Sequence, residues 1–277
     1  MTVSFRKMHG LGNDFVVVDV RQSGVGFTEE QVRRIGDRRR GIGFDQFITI
    51  EPPRQAGATI FMGIRNPDGS VAGACGNATR CVSALLMAET GSDAVVIETV
   101  SGLLPATRTT DGTVTVDMGP ARLDWQDLPL AEARDTLHLG IGAGDLHDPV
   151  GVSMGNPHAV FFVEDVAAVP LTEVGPVLEN HALFPKRCNI EIVEVQARDR
   201  LRMRVWERGA GITQACGSGA CATLVAAARR GLADRRAEVI LDGGSLMIEW
   251  RDSDGHVLMS GPTATSFTGI FDGSLLA

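Results

Sequence analysis

Apolar residues in this chain come in short runs separated by Gly-rich turns, and two long helical stretches interrupt that rhythm. Val3–Phe5 and Phe15–Val20 read as strands on either side of a Gly-rich turn. Phe47–Glu51, Ala58–Arg65, Ala94–Thr99, Leu103–Thr109 and Thr113–Met118 read as further strands, the last with plain period-two alternation. Thr28–Arg38 has helical apolar spacing at Val32 and Ile35, opened by Thr28 with Glu30 in the first turn. Cys75–Thr90 and Cys216–Arg230 read as longer helices, stopped by Gly91 and Gly231.

The pattern repeats. Asn13 and Asn156 each follow a glycine and precede an apolar run, and they are 143 residues apart. Gln46 and Asn189 open apolar runs at the same offset of 143, whereas Asn66 and Glu207, and Cys75 and Cys216, match at 141. Asp111-Gly112 leads to Gly119-Pro120 as Asp254-Gly255 leads to Gly261-Pro262. So regular an offset implies a duplication. It predicts an α/β (α+β) protein of two pseudo-symmetric domains, residues 1–119 and 120–262, each several strands packed around one long helix. The tail, residues 263–277, contains Ser266-Phe-Thr-Gly-Ile-Phe271, a candidate extra strand for either domain.

Composition narrows the class. Of 277 residues, 44% are apolar and 22% charged, which excludes a disordered chain, a collagen-like repeat or a coiled coil. A net charge of −8 argues against a nucleic-acid partner, and no apolar run is long enough for a membrane span. The first residues carry Asp14 within their apolar stretch and lack a small-residue cleavage site, so no signal peptide is read there. The five cysteines are an odd number and include no Cys-x-x-Cys pair. Their spacing suits neither a disulfide framework nor a zinc site, and a cytoplasmic setting with no metal is expected. Arg33-Arg34 and Arg38-Arg39-Arg40 read as a solvated face or a dimer contact.

Cys75 and Cys216 carry the candidate chemistry. Each stands between a Gly-rich loop and an apolar helix and is followed by a glycine, Gly76 or Gly217. A helix start presents unpaired N–H groups and a partial positive charge, which lower a thiol's pKa and hold a carboxylate. Facing one pocket, one thiolate takes a proton from a carbon while the opposite thiol gives one to the other face, inverting the centre. Two helix N-termini aimed at the neighbouring carboxylate would stabilise the charge that develops. Cys81, Cys188 and Cys221 read as buried apolar residues.

Gly10-Leu-Gly-Asn-Asp-Phe15, Asn66-Pro-Asp-Gly-Ser70, Ala74-Cys-Gly-Asn-Ala-Thr-Arg-Cys81, Gly155-Asn-Pro-His158, Glu207-Arg-Gly-Ala-Gly211 and Ala215-Cys-Gly-Ser-Gly-Ala220 together resemble the diaminopimelate epimerases. The resemblance covers nearly the whole chain. It implies an isomerase that interconverts LL- and meso-diaminopimelate without pyridoxal phosphate or any other cofactor, on the route to lysine and peptidoglycan. It also implies two domains of mixed sheet around a central helix, a C-terminal tail returning to the first domain, and a homodimer. By position, Cys75 and Cys216 resemble the acid/base pair, and Gly76-Asn77 and Gly217-Ser218 the donors to the reacting carboxylate. Asn13, Gln46, Asn66, Asn156 and Asn189 resemble substrate-binding amides. Glu207 and Arg208 resemble the grip on the distal ammonium and carboxylate, and His158 and Glu207 the polar neighbours that tune the thiols. Pro67, Ala78-Thr79-Arg80 and Ser218 depart from the residues usual in that family. The competing expectations are a related racemase acting on proline, hydroxyproline or histidine, and a thiol redox enzyme.

Overall fold

The structure, a computed structural model, describes residues 3–277. The chain forms two compact units, Met1–Val116 with Gly261–Ala277, and Asp117–Ser260. The first contains β1 (Ser4–Gly10), β2 (Asn13–Asp19), α1 (Glu29–Gly36), β3 (Gln46–Glu51), β4 (Ile60–Arg65), α2 (Gly76–Thr90), β5 (Ala94–Thr99) and β6 (Gly102–Arg108), and β7 (Val114–Pro120) ends it. The second contains β8 (Gly142–Ala143), β9 (Leu146–His147), β10 (Val150–Ser153), β11 (Pro157–Val163), α3 (Leu171–Glu179), β12 (Asn189–Ala197), β13 (Arg200–Glu207), β14 (Gly211–Ile212), α4 (Gly217–Arg229), β15 (Arg236–Leu241), β16 (Gly244–Trp250) and β17 (His256–Gly261). The chain closes with β18 (Ala264–Ile270), which pairs antiparallel with β1, and α5 (Gly273–Leu276).

The two units share one topology. In the first, β1-β2 is antiparallel, β2-β3 parallel, β3-β4 antiparallel, β4-β5 parallel, and β5-β6 and β6-β7 antiparallel. The second repeats that series as β10-β11, β11-β12, β12-β13, β13-β15, β15-β16 and β16-β17. The parallel pairs are the ones joined across a helix, since antiparallel neighbours need only a turn and parallel neighbours need a crossover. Register repeats as well: Phe15 lies opposite Gln46, and His158 opposite Asn189. The protein is therefore a mixed α/β duplication.

Each sheet curls around its long helix. α2 contacts β1, β2, β5 and β6, and α4 contacts β10 through β13, β15 and β16. Both are too apolar all round to be surface helices. On α4, Gly219 through Ala227 are all buried, and on α2 Gly76 through Ser83 are. Burying Leu224 and Val225 contributes about 1.5–3 kcal/mol each. Gly91, at φ 70, ends α2 by donating its N–H to Met87 O, a left-handed cap that a glycine adopts without a Cβ penalty. α1 starts with a reciprocal cap between Thr28 and Gln31, one residue beyond the Glu30 singled out in the sequence.

Candidate active site

In the first unit the site is built on the N-terminus of α2. Cys75 is its cap residue, extended at φ −150 and ψ 108, and its sulfur accepts the N–H of Ala78 at 3.4 Å. That sulfur lies 3.8 Å from Asn13 Oδ1, which also accepts from Asn77 Nδ2 at 3.2 Å. Asn13 in turn donates from Nδ2 to Asp45 Oδ2 at 2.9 Å. Asp45 is fixed by Arg38 at 2.7 Å, and Arg38 and Lys7 both bond Asp14. Burial pushes the Asp14 carboxyl up, but the Arg38 and Lys7 contacts outweigh it and hold it below the usual carboxylate range. This network fixes which end of the Asn13 amide faces Cys75. Gln46 opens β3 next to β2, and its Oε1 is buried with no hydrogen-bond partner among the described residues. Asn66 follows β4 in a tight turn, donating from Nδ2 to Ser70 Oγ at 3.0 Å.

The second unit repeats the frame on α4. Cys216 is the cap residue, extended at φ −107 and ψ 107, with its sulfur accepting the N–H of Gly219 at 3.3 Å. Ser218 Oγ lies 3.6 Å from that sulfur and accepts from Asn156 Nδ2 at 3.2 Å. His158 Nε2 meets Asn156 Oδ1 at 3.1 Å, and His158 Nδ1 meets Glu191 Oε1 at 2.6 Å. His158 and Glu191 are both wholly buried. Asn189 uses its amide internally, Nδ2 donating to Pro157 O at 3.0 Å and Oδ1 accepting from Arg208 N at 2.9 Å. Glu207 Oε1 accepts from the Thr213 hydroxyl, and burial raises its pKa. The Arg208 side chain is exposed, with Nη1 donating to Lys186 O at 3.1 Å.

One expectation is corrected. A lowered pKa was expected of both helix-start thiols, yet that of Cys216 is raised well above the ordinary value. Burial is the largest cause, followed by the carboxylates of Glu207 and Glu191, and together they outweigh the Ser218 hydroxyl and the Gly219 N–H. A helix end acts through partial charge, whereas burial removes the water that would solvate a thiolate.

Glu191, Asp45 and Thr213 take part in the site without having been singled out in the sequence. The signal for Glu191 was present: it interrupts the apolar run Asn189-Ile-Glu-Ile-Val193, in a strand whose first five residues are all buried. A carboxylate in such a place needs a partner. The signal for Asp45 is weak, because an aspartate just before a strand is common in turns. Among the described residues no group of three or more His, Cys, Asp or Glu side chains is placed to hold a metal ion, and no helix is long and apolar enough to cross a membrane.

Known proteins resemble this chain over nearly its whole length. The family model for diaminopimelate epimerase matches residues 5–123 and 150–265. A diaminopimelate epimerase of Rhodospirillum centenum is 60% identical over 276 residues, covering 100% of this chain and 94% of its own. One of Acidiphilium cryptum is 55% identical over 273 residues, covering 99% and 98%. Among solved structures, a hydroxyproline epimerase from Agrobacterium vitis superposes with a TM-score of 0.69 at 16% identity, covering 97% of this chain and 92% of its own. A methylitaconate-delta-isomerase superposes at 0.63 with 15% identity, covering 100% and 97%, so the fold extends well beyond one substrate. The chain belongs to the diaminopimelate epimerase family.

Proposed function

We propose that this protein interconverts LL- and meso-diaminopimelate by proton transfer at one α-carbon, with Cys75 and Cys216 as the two acid/base groups. The observation that carries this reading is the matched pair of cap thiols, each at the start of a buried helix with glycine as the first helical residue. Inversion requires a proton to leave one face of the carbon and another to arrive at the opposite face. One thiolate removes the α-hydrogen while the other thiol donates, so the second sulfur ends as thiolate and the two exchange protonation states each turnover. Coupled in this way, they titrate as a pair.

The α-hydrogen of an amino acid is very weakly acidic, and its removal places charge on the adjoining carboxylate. First-turn N–H groups at Gly76-Asn77 and Gly217-Ser218 are the donors suited to that charge. Neutral amides at Asn13, Gln46, Asn66, Asn156 and Asn189 supply donors and acceptors for a substrate with ammonium and carboxylate at both ends. The partnerless Oε1 of Gln46 suits an ammonium. Arg208 holds the distal carboxylate by paired hydrogen bonds. Binding at the unreactive end orients the reactive one and fixes which centre inverts.

Incubation in heavy water tests the chemistry. Wild type takes up deuterium at the α-carbon as it epimerises, and Cys75→Ser and Cys216→Ser each reduce epimerisation at least a hundredfold. Full turnover by either variant removes the two-thiol reading. Turnover of proline or histidine with none of diaminopimelate removes the substrate assignment. The cytoplasmic location suits five free thiols. The homodimer rests on the family resemblance and is read out by sedimentation.

A further inference from the structure

The buried pair His158–Glu191 has no counterpart in the other half. The positions that match them at the repeat offset are Phe15 and Ile48, both wholly buried and apolar. The helix position beside them changes in step, being Ala78 on α2 and Gly219 on α4. A Cβ at Gly219 would stand 2.8 Å from Glu191 Oε1 and 3.2 Å from Cys216 Sγ, so the glycine makes room for the carboxylate beside the thiol. Three coordinated differences around one of two equivalent thiols point to a task that only the Cys216 side performs.

Charge limits where the protons are. Glu191 Oε2 has no hydrogen-bond partner among the described residues, so His158 is what compensates this carboxylate. A buried pair is tolerated when net neutral and strongly disfavoured with one charge left over. Two neutral arrangements exist, imidazolium with carboxylate, or neutral imidazole with carboxylic acid. Both put a proton on His158 Nε2 when the proton the pair shares lies between Nδ1 and Oε1, the 2.6 Å contact. The Asn156 orientation fits this, because its carbonyl oxygen, which can only accept, faces Nε2 at 3.1 Å.

Direction then propagates. With Asn156 Oδ1 occupied by Nε2–H, its Nδ2 donates to Ser218 Oγ at 3.2 Å, and the serine proton is left for the sulfur 3.6 Å away. We infer that Glu191 is a positioning residue for proton transfer at Cys216: by keeping a proton on His158 Nε2 it orders a chain of donors that ends with the Ser218 O–H on the Cys216 sulfur. When the S–H bond gives its proton to the α-carbon, the sulfur keeps the electron pair and meets a donor already aimed at it. The charged groups facing this sulfur are Glu207 from β13 and Glu191 from β12, with His158 from β11 beyond. Both carboxylates oppose a thiolate, which is why a directed donor matters here.

This inference rests on Cys216 being an acid/base group, but its test uses no substrate and so stands apart from the epimerase reading. Nitrogen-15 NMR of histidine-labelled protein, with His158→Gln to assign the ring, reads the tautomer directly. A proton on Nε2 of wild type is expected, and a bare Nε2 overturns the inference. The second readout is alkylation of Cys216 by iodoacetamide at pH 9, followed by mass spectrometry. Glu191→Ile is expected to slow it three- to tenfold, because the chain loses its set direction and the thiolate its donor. If Glu191 acts only as a nearby negative charge, the same variant speeds alkylation, and that overturns the inference. Glu191→Gln is isosteric, and its amide N–H can meet Nδ1 and leave the Nε2 proton in place. It is expected to alkylate within twofold of wild type, and a slowing equal to that of Glu191→Ile overturns the inference.

Discussion

The two halves place a thiol on the same helix cap in the same strand order, yet the side chains behind the thiols belong to different chemistries. The first unit has Phe15, Ile48 and Ala78 at the positions where the second has His158, Glu191 and Gly219. The shared topology positions both caps, whereas the lining differs between them. The largest predicted effect follows from the polar lining. His158→Phe leaves Glu191 buried without its compensating ring and should cost about 3–5 kcal/mol. Glu191→Ile leaves a neutral ring lacking one partner and should cost less, about 1–3 kcal/mol. The double variant, which copies the first unit, should recover most of that stability while remaining poorly active. Urea denaturation of all four proteins gives the cycle, and a double variant as unstable as the sum of the singles would mean that the pair is not a unit.

The helix position sharpens the same contrast. Gly219→Ala places a methyl carbon against Glu191 Oε1 and the Cys216 sulfur, so it should cost about 1–3 kcal/mol by overpacking. Ala78→Gly relieves no crowding and should cost about 1 kcal/mol, the loss of a helix former. The discriminating result is the pairing with Glu191→Ile: overpacking at residue 219 should shrink once the carboxylate is gone. Equal costs in both backgrounds would place the strain elsewhere.

The framework was readable in the sequence because it follows local rules. Thiol, glycine and apolar helix recur at a constant offset, and both cysteines do cap their helices. The strand Phe47–Glu51 was equally plain, and Ile190-Glu-Ile-Val193 was legible as its repeat partner. The protonation of Cys216 could not be read, because burial is a tertiary property and here it outweighs the local effect of the helix end. The partner of Glu191 was hidden for a related reason: His158 is 33 residues away and is brought beside it by parallel pairing of β11 and β12. Comparing the halves would have flagged it, since the repeat sets a charge against Ile48 and a histidine against Phe15.

Exposure separates the thiols kinetically. Cys75 is partly exposed, whereas Cys216 is 5% exposed and its thiol is pushed well up. Iodoacetamide at pH 8 should therefore modify Cys75 at least tenfold faster, as read from peptide masses over time. Comparable rates would mean that the second half-site opens readily in solution.

The smallest effect concerns thiols that take no part in the chemistry. Burial pushes Cys81 on α2 from 9.0 up to about 12, and pushes Cys188, just before β12, well above 9.0. A folded-state value above the unfolded one means that the unfolded chain releases its proton first as pH rises. Stability is therefore unaffected below about pH 9 and falls as pH climbs from 9 towards 12 for Cys81. At pH 10 that loss is about 1 kcal/mol for Cys81, since one pH unit corresponds to about 1.4 kcal/mol. Cys81→Ala should lower stability at pH 8 through lost packing, yet flatten the fall between pH 8 and pH 10 by that amount. The second unit holds the buried thiols Cys188, Cys216 and Cys221, and the first holds Cys81. Its amides should consequently lose more hydrogen-exchange protection at pH 10, and equal loss in the two units would show that alkaline sensitivity does not originate in these buried sulfurs.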